Sequence, residues 1–183
     1  MNLIPTPATL QDAPEGSRPM LDAVAKKVGR VPNLFLAMSL SPAALEGYLG
    51  LSGALTHGAL PAATRERIAL AVAEVNACAY CLAAHTFFGR VSAKLDDAEI
   101  TANRNGFSND PLADAAVRFA VQVARQRGHV GDDAVAAVRE AGYSDEQIIE
   151  IVQHVALNTL TNYFNVVFST PLDFPAVPAQ RAA

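Results

Sequence analysis

The 183-residue sequence predicts an all-α protein, a single-domain multi-helix bundle, on three observations. Alanine, the best helix former, occurs 35 times. Short Gly, Pro and Ser punctuation separates segments of helical periodicity. Hydrophobic residues make up 51% and charged residues only 17% of the chain, so a packed core is expected rather than disorder. A chain of this length buries roughly 70% of its unfolded surface and needs no disulfide or metal merely to fold.

The elements follow in order. Arg18 to Val28 reads as a first helix, and Val31-Pro32-Asn33 as a turn opening a short helical piece around Leu34 to Met38. Ser41-Pro42 supplies an N-cap followed by proline at the first helical position, for a helix running to about His57-Gly58. Leu60-Pro61 starts the next, through about Val75, and Cys78 to Val91 is another. Asp96-Asp97 caps a short helix ending near Asn105-Gly106. Asp110-Pro111 opens Leu112 to Arg127, and Gly131-Asp132-Asp133 opens Ala134 to Ala141, each closed by a glycine. Ser144-Asp145-Glu146-Gln147 has the form of a capping box for a long last helix to about Phe168. The Pro-rich tails, about 1–16 and 171–183, are expected to be extended or loosely packed. Gly47, Gly50 and Gly53 recur at a spacing of three and suggest close helix packing.

Net charge is −4, and no Lys/Arg block gives a footprint for nucleic acid or an anionic membrane. Polar residues interrupt the most apolar stretch, Ile148 to Phe168, so it reads as a core or interface helix and not a membrane span. The start, MNLIPTPATLQDAPEG, has no basic n-region and no apolar h-region, which predicts a cytoplasmic protein.

Only two cysteines occur, Cys78 and Cys81, three residues apart, which points to redox or metal chemistry and not to a secreted disulfide scaffold. On a continuous helix Cys78, Cys81 and His85, at i, i+3 and i+7, would form one stripe. Residues three apart lie about 5 Å apart at Cα, a separation a disulfide permits. If Asn76 or Ala77 starts the helix, Cys78 falls in its first turn, where the positive end of the helix dipole favours a thiolate. His85 can take a proton from Cys81, and a carboxylate from Glu66 returning to His85 would orient it, although a break near Asn76 prevents placing Glu66 by helical spacing. The competing use is zinc on Cys78, Cys81 and His85 with Glu66 or His154 as a further donor. His154, Asn158, Asn162 and Asn165, spaced +4, +4 and +3, form a polar stripe on the last helix. It is either a helix or subunit contact or the wall of a pocket facing the CxxC helix, with Tyr163 nearby.

Glu66, Cys78, Cys81 and His85, with the run Asn76-Ala77-Cys78-Ala79-Tyr80-Cys81-Leu82-Ala83-Ala84-His85, resemble the signature of the alkyl hydroperoxidase D-like proteins of the carboxymuconolactone decarboxylase superfamily, in their peroxidase-related branch. The superfamily core corresponds to about residues 35–105. The resemblance implies about eight helices with the CxxC motif on a central helix, assembly as a homotrimer or hexamer, and a thiol peroxidase cycle that needs no cofactor or metal. It makes Cys81 the peroxidatic thiol and Cys78 the resolving one, activated through His85 and Glu66, with a hydroperoxide as substrate and an external dithiol or reductase protein as reductant. The best-known members carry a second histidine immediately before the second cysteine, where this chain has Tyr80. Tyr80, His154, Asn158 and Asn162 are the further candidate pocket residues. The alternatives are a non-enzymatic redox-sensing or disulfide-exchange module, a zinc site, and a lactone decarboxylase-like activity, whose members lack the cysteine pair.

Overall fold

The computed structural model describes residues 3–178. Nine α-helices occur among them: α1 (Arg18–Val28), α2 (Asn33–Met38), α3 (Pro42–Thr56), α4 (Ala62–Val75), α5 (Ala79–Val91), α6 (Asp97–Arg104), α7 (Pro111–Gln126), α8 (Asp132–Glu140) and α9 (Asp145–Phe168). This is one more than the family resemblance implies. Two single 3₁₀ turns, Leu10–Asp12 and Glu15–Ser17, precede them, and no strand occurs among the described residues.

The caps are those the sequence offers. Ser41 accepts from the Ala44 N–H at 3.3 Å, Asp96 from Glu99 at 2.7 Å, and Asp110 from both Leu112 and Ala113. Ser144 and Gln147 close a reciprocal capping box at the start of α9.

The hub is α4, which packs against α5, α6, α7 and α9. Its segment Ile68 to Ala73 is buried at every position, the signature of a helix surrounded on all sides. Ile68 and Val72 face the core shared with Phe119 and Ile151, whereas Ala73 joins the one built on Leu21, Leu36, Leu45 and Cys81. Around it α3 packs on α9, and α8 on α7 and α9, while α2 packs on α3 and α1 on the two 3₁₀ turns; each apolar face so buried gains roughly 25 cal/mol per Å².

The tails, expected to be extended or loosely packed, are packed where they are described, and one further expectation needs correction. Residues 171–178 run without regular structure but are docked, with Phe174 in the first core cluster, and the N-terminal segment carries both 3₁₀ turns and the fully buried Ala13. Residues 1–2 and 179–183 of those tails lie outside the described residues. Gly47, Gly50 and Gly53 are not packed closely against another element: apart from their chain neighbours and the backbone of their own helix, no described atom comes within 4 Å of where a Cβ would stand. No described helix is long and apolar enough to cross a membrane.

Candidate active site

The site begins where α4 stops. Asn76 ends the helix and Ala77 takes a left-handed conformation (φ 52°), allowing the Cys78 N–H to reach the Ala73 carbonyl at 3.0 Å. The chain reverses, and α5 returns along α4. Glu66 lies ten residues before Asn76 and His85 eight after Ala77, so at 1.5 Å per residue the two come level. Oε2 of Glu66 stands 2.9 Å from Nδ1 of His85.

Cys78 is not inside the helix, as the stripe of three would have it. It is the N-cap of α5, with extended backbone, and its Sγ accepts from the Cys81 N–H at 3.3 Å. Cys81 is therefore the residue in the first turn, where the free N–H groups and the dipole favour an anion. The two free thiols are buried with their Sγ atoms 2.7 Å apart. The hydrogen bond from Cys78 lowers the Cys81 thiol to about 6 despite burial, helped by the charge of His85 and the amides of Asn165 and Asn162. Cys78 moves the other way, raised because its proton is shared with Cys81 and because burial disfavours its charge. The helix-start expectation that Cys78 is the more acidic thiol is thus reversed. Burial acts to lower the His85 pKa, but the Glu66 carboxylate outweighs it and the net shift is upward.

Cys81, His85 and Glu66 line one cavity of about 260 Å³, walled by Phe35, Tyr48, Phe88 and Phe174 and by the polar groups Arg65, His154, Asn158 and Asn165. Burial pushes the Tyr48 phenol up to about 12. Burial and then the Arg65 charge lower His154 to about 4, so its imidazole is neutral at pH 7. Asn158 lines the cavity while donating to the His154 carbonyl one turn back at 2.7 Å.

Asn162 does not line the cavity. It is fully buried, and its Oδ1 accepts from Asn76 Nδ2 at 2.9 Å, which fixes the turn ahead of Cys78. Tyr163 faces outward, 59% exposed. Asn165 was only the end of a polar stripe in the sequence, yet it donates from Nδ2 to Cys81 Sγ at 3.3 Å. Only the register of α9 against α5 distinguishes it from its neighbours in the stripe.

Tyr80 borders the cavity, but its hydroxyl is turned away from the thiols and accepts from the Leu34 N–H at 3.2 Å. Pro32 precedes α2 and has no capping side chain, so Tyr80 and Asp173, which accepts from the Asn33 N–H at 2.9 Å, cap α2 instead. Phe174 lies edge-on to the Tyr80 ring at 5.8 Å, and Arg30 stands over Phe174 at 4.5 Å.

Among the described residues no group of three or more His, Cys, Asp or Glu side chains is placed to hold a metal ion, so the zinc donor set is not gathered. What is gathered is an acidified thiol, a partner thiol in bonding reach and a carboxylate-backed imidazole at one cavity, which suits nucleophilic attack by sulfur followed by disulfide closure.

The model of the carboxymuconolactone decarboxylase family matches residues 42–126, running further toward the C-terminus than the core of about 35–105 inferred from the motif. An uncharacterized peroxidase-related protein of Ralstonia eutropha with an alkylhydroperoxidase AhpD core is 26% identical, with a TM-score of 0.84 over 94% of this chain and 92% of that one. A peroxidase-related protein of a Silicibacter species is 22% identical (TM-score 0.77, 91% of each chain). The debrominase Bmp8 has the same fold at 21% identity (TM-score 0.79, 94% of each chain), and a cysteine-to-alanine variant of it has been solved with 2,3,4-tribromopyrrole. No curated protein matches the sequence significantly.

Proposed function

We propose that this chain, which belongs to the alkyl hydroperoxidase D-like proteins of the carboxymuconolactone decarboxylase superfamily, is a thiol-dependent peroxidase that reduces organic hydroperoxides. The observation that carries the reading is the position of Cys81 Sγ, 2.7 Å from Cys78 Sγ and beside the cavity that His85 and Glu66 also line.

The Cys81 thiolate attacks the terminal oxygen of ROOH. The O–O bond breaks, sulfur becomes a sulfenic acid, and RO⁻ takes a proton from the His85 imidazolium to leave as ROH. Cys78 then attacks the Cys81 sulfur, water leaves, and the disulfide forms. An external dithiol reduces it by exchange, so the net reaction converts ROOH and a dithiol into ROH, water and a disulfide. The cycle needs no cofactor beyond that reductant, and Glu66 holds the His85 tautomer with Nε2 as the ring nitrogen left for proton exchange. We place the protein in the cytoplasm, where dithiol reductants are available, and assign it a homo-oligomeric state.

Peroxide consumption with a dithiol reductant tests the reading. Turnover of hydrogen peroxide or an organic hydroperoxide well above that of Cys81→Ser is expected. Absence of turnover, with the disulfide still forming and opening stoichiometrically, would favour a redox-sensing module instead.

The aromatic walls of the cavity, with a debrominase of the same fold, favour a second reading, in which this chain removes a halogen from a flat ring reductively. In that reading C–H replaces C–Br, bromide leaves, and the Cys81–Cys78 pair supplies two electrons and ends as a disulfide. Bromide release from a bromopyrrole distinguishes it.

A further inference from the structure

Asn165 presents an arrangement that packing alone does not explain. It is 3% exposed on α9, its Nδ2 donates to Cys81 Sγ at 3.3 Å, and its Oδ1 has no partner among the described residues. A buried amide with half of its hydrogen-bonding capacity unmet costs about 1–3 kcal/mol. A neutral thiol is a weak acceptor and repays little of that cost, whereas a thiolate makes the bond charge-assisted. The register of α9 against the thiols is also tied: Asn162, one turn earlier, accepts from Asn76 at 2.9 Å, which couples α9 to the turn that sets Cys78 and Cys81.

We propose that Asn165 is a catalytic residue that stabilises the Cys81 thiolate by direct donation from its side-chain amide, a donor supplied across the bundle by α9 in addition to the groups of α4 and α5. The proposal rests on the reading of Cys81 as the attacking thiol. The titratable groups facing that sulfur are Cys78 and His85 on α5, with Glu66 on α4 and Tyr48 on α3 around them. From α9 only uncharged amides reach it, and His154, three turns earlier on α9, is set first by burial and then by Arg65, Glu150 and Glu66. The contribution of α9 is therefore separable from the imidazole: the amide donates at every pH, whereas His85 helps only while protonated.

The test is the rate of Cys81 alkylation by iodoacetamide as a function of pH, followed by peptide mapping, in the native chain and in three variants. Asn165→Leu removes the donor at similar volume and is expected to move the midpoint up by about one pH unit, a tenfold loss of thiolate below it. Asn165→Asp, which puts an acceptor against sulfur, should move it further, and Asn165→Ser, which keeps a hydroxyl donor, less. Should the Leu variant not fold, the Asp and Ser pair carries the same comparison. Midpoints that stay with the native chain while thermal stability falls would reduce Asn165 to a packing role and overturn the proposal. A native Cys81 that itself titrates like a free thiol would instead remove the nucleophile reading on which it stands.

Discussion

Nδ1 of His85 and Oε2 of Glu66 meet at 2.9 Å although the residues are nineteen apart in sequence and belong to different helices. The contact exists because the reversal at Ala77 lays α5 back along α4. A carboxylate in that position fixes the tautomer and favours the imidazolium, the form that protonates a leaving alkoxide. His85→Ala is expected to lower kcat/KM for a hydroperoxide by about 10²-fold, and Glu66→Gln by about tenfold. Steady-state peroxide consumption measures both. Equal rates in Glu66→Gln and the native chain would mean that the pair has no part in the proton transfer.

The two thiols should separate by pH. With Cys81 lowered to about 6, its thiolate fraction, and with it the rate of alkylation, is expected to rise through pH 6 and level off by about 7.5. Cys78 is raised, so it stays unlabelled across that range. Peptide mapping after brief iodoacetamide exposure at pH 7 should find the label on Cys81. Label on Cys78 would reverse the assignment of nucleophile.

Much of this is legible in the sequence because it depends on local chemistry. Ser41, Asp96, Asp110 and Ser144 mark helix starts by hydrogen bonds spanning two or three residues, and those four starts occur where they are expected. Cys78 and Cys81 also announce themselves, since no other cysteine competes. What is not legible depends on a single backbone angle or on register between distant helices. The left-handed Ala77 moves Cys78 out of the helix to its N-cap and exchanges the acidities expected of the two thiols. The polar stripe of α9 contains four candidates, and tertiary register alone sends Asn165 to sulfur, Asn162 to Asn76 and Tyr163 to the surface. Nothing local in Pro171 to Phe174 signals that this segment closes a wall of the cavity.

Tyr80 stands immediately before the second cysteine, where the best-known members of the resembling family carry a histidine, but it acts as a cap for α2 through its bond with the Leu34 N–H. Tyr80→Phe keeps the ring against Phe174 and removes only that bond. A loss of about 1 kcal/mol in stability is expected, with peroxide turnover changed by less than about threefold. Denaturant melts and initial rates measure the two effects separately. A drop in turnover without a drop in stability would give the hydroxyl a part in the proton transfer.

His154 gives the fold a pH dependence of known sign. Its imidazole is lowered to about 4 by burial and Arg65, whereas in the unfolded chain it takes up a proton near 6.5. Between those values the unfolded state binds more protons, so stability is full above about 6.5 and falls as the pH drops toward 4. His85, raised in the folded state, contributes fully below 6.5 and adds no slope in that window. Glu99, held near 2, begins to count only below about 4.5. Cys81, lowered to about 6, also loses its stabilising contribution as the pH falls from 7, but that loss is complete by about 5.5, so urea melts at pH 5.5 and 4.5 isolate His154: they should differ by on the order of 1 kcal/mol in the native chain and by much less in His154→Leu. The same slope in both would assign the loss to other groups.

The outward face of α9 bears on assembly. Ile149, Val152, Leu160, Tyr163 and Val167 recur at helical spacing along it, and each is exposed. A helix of 24 residues is about 36 Å long, so this stripe exceeds the scattered apolar contacts ordinary on a monomer's surface. Burying it between copies removes that area from water at roughly 25 cal/mol per Å² without touching the thiols, which lie on the opposite side of the helix through Asn165. The native chain is therefore expected to sediment as a multiple of 19.3 kDa. Leu160→Glu combined with Tyr163→Glu places charges in the stripe and should shift the protein to a smaller species while helix content is retained. A native chain that sediments as a monomer at micromolar concentration would leave this face without the partner copy assigned to it.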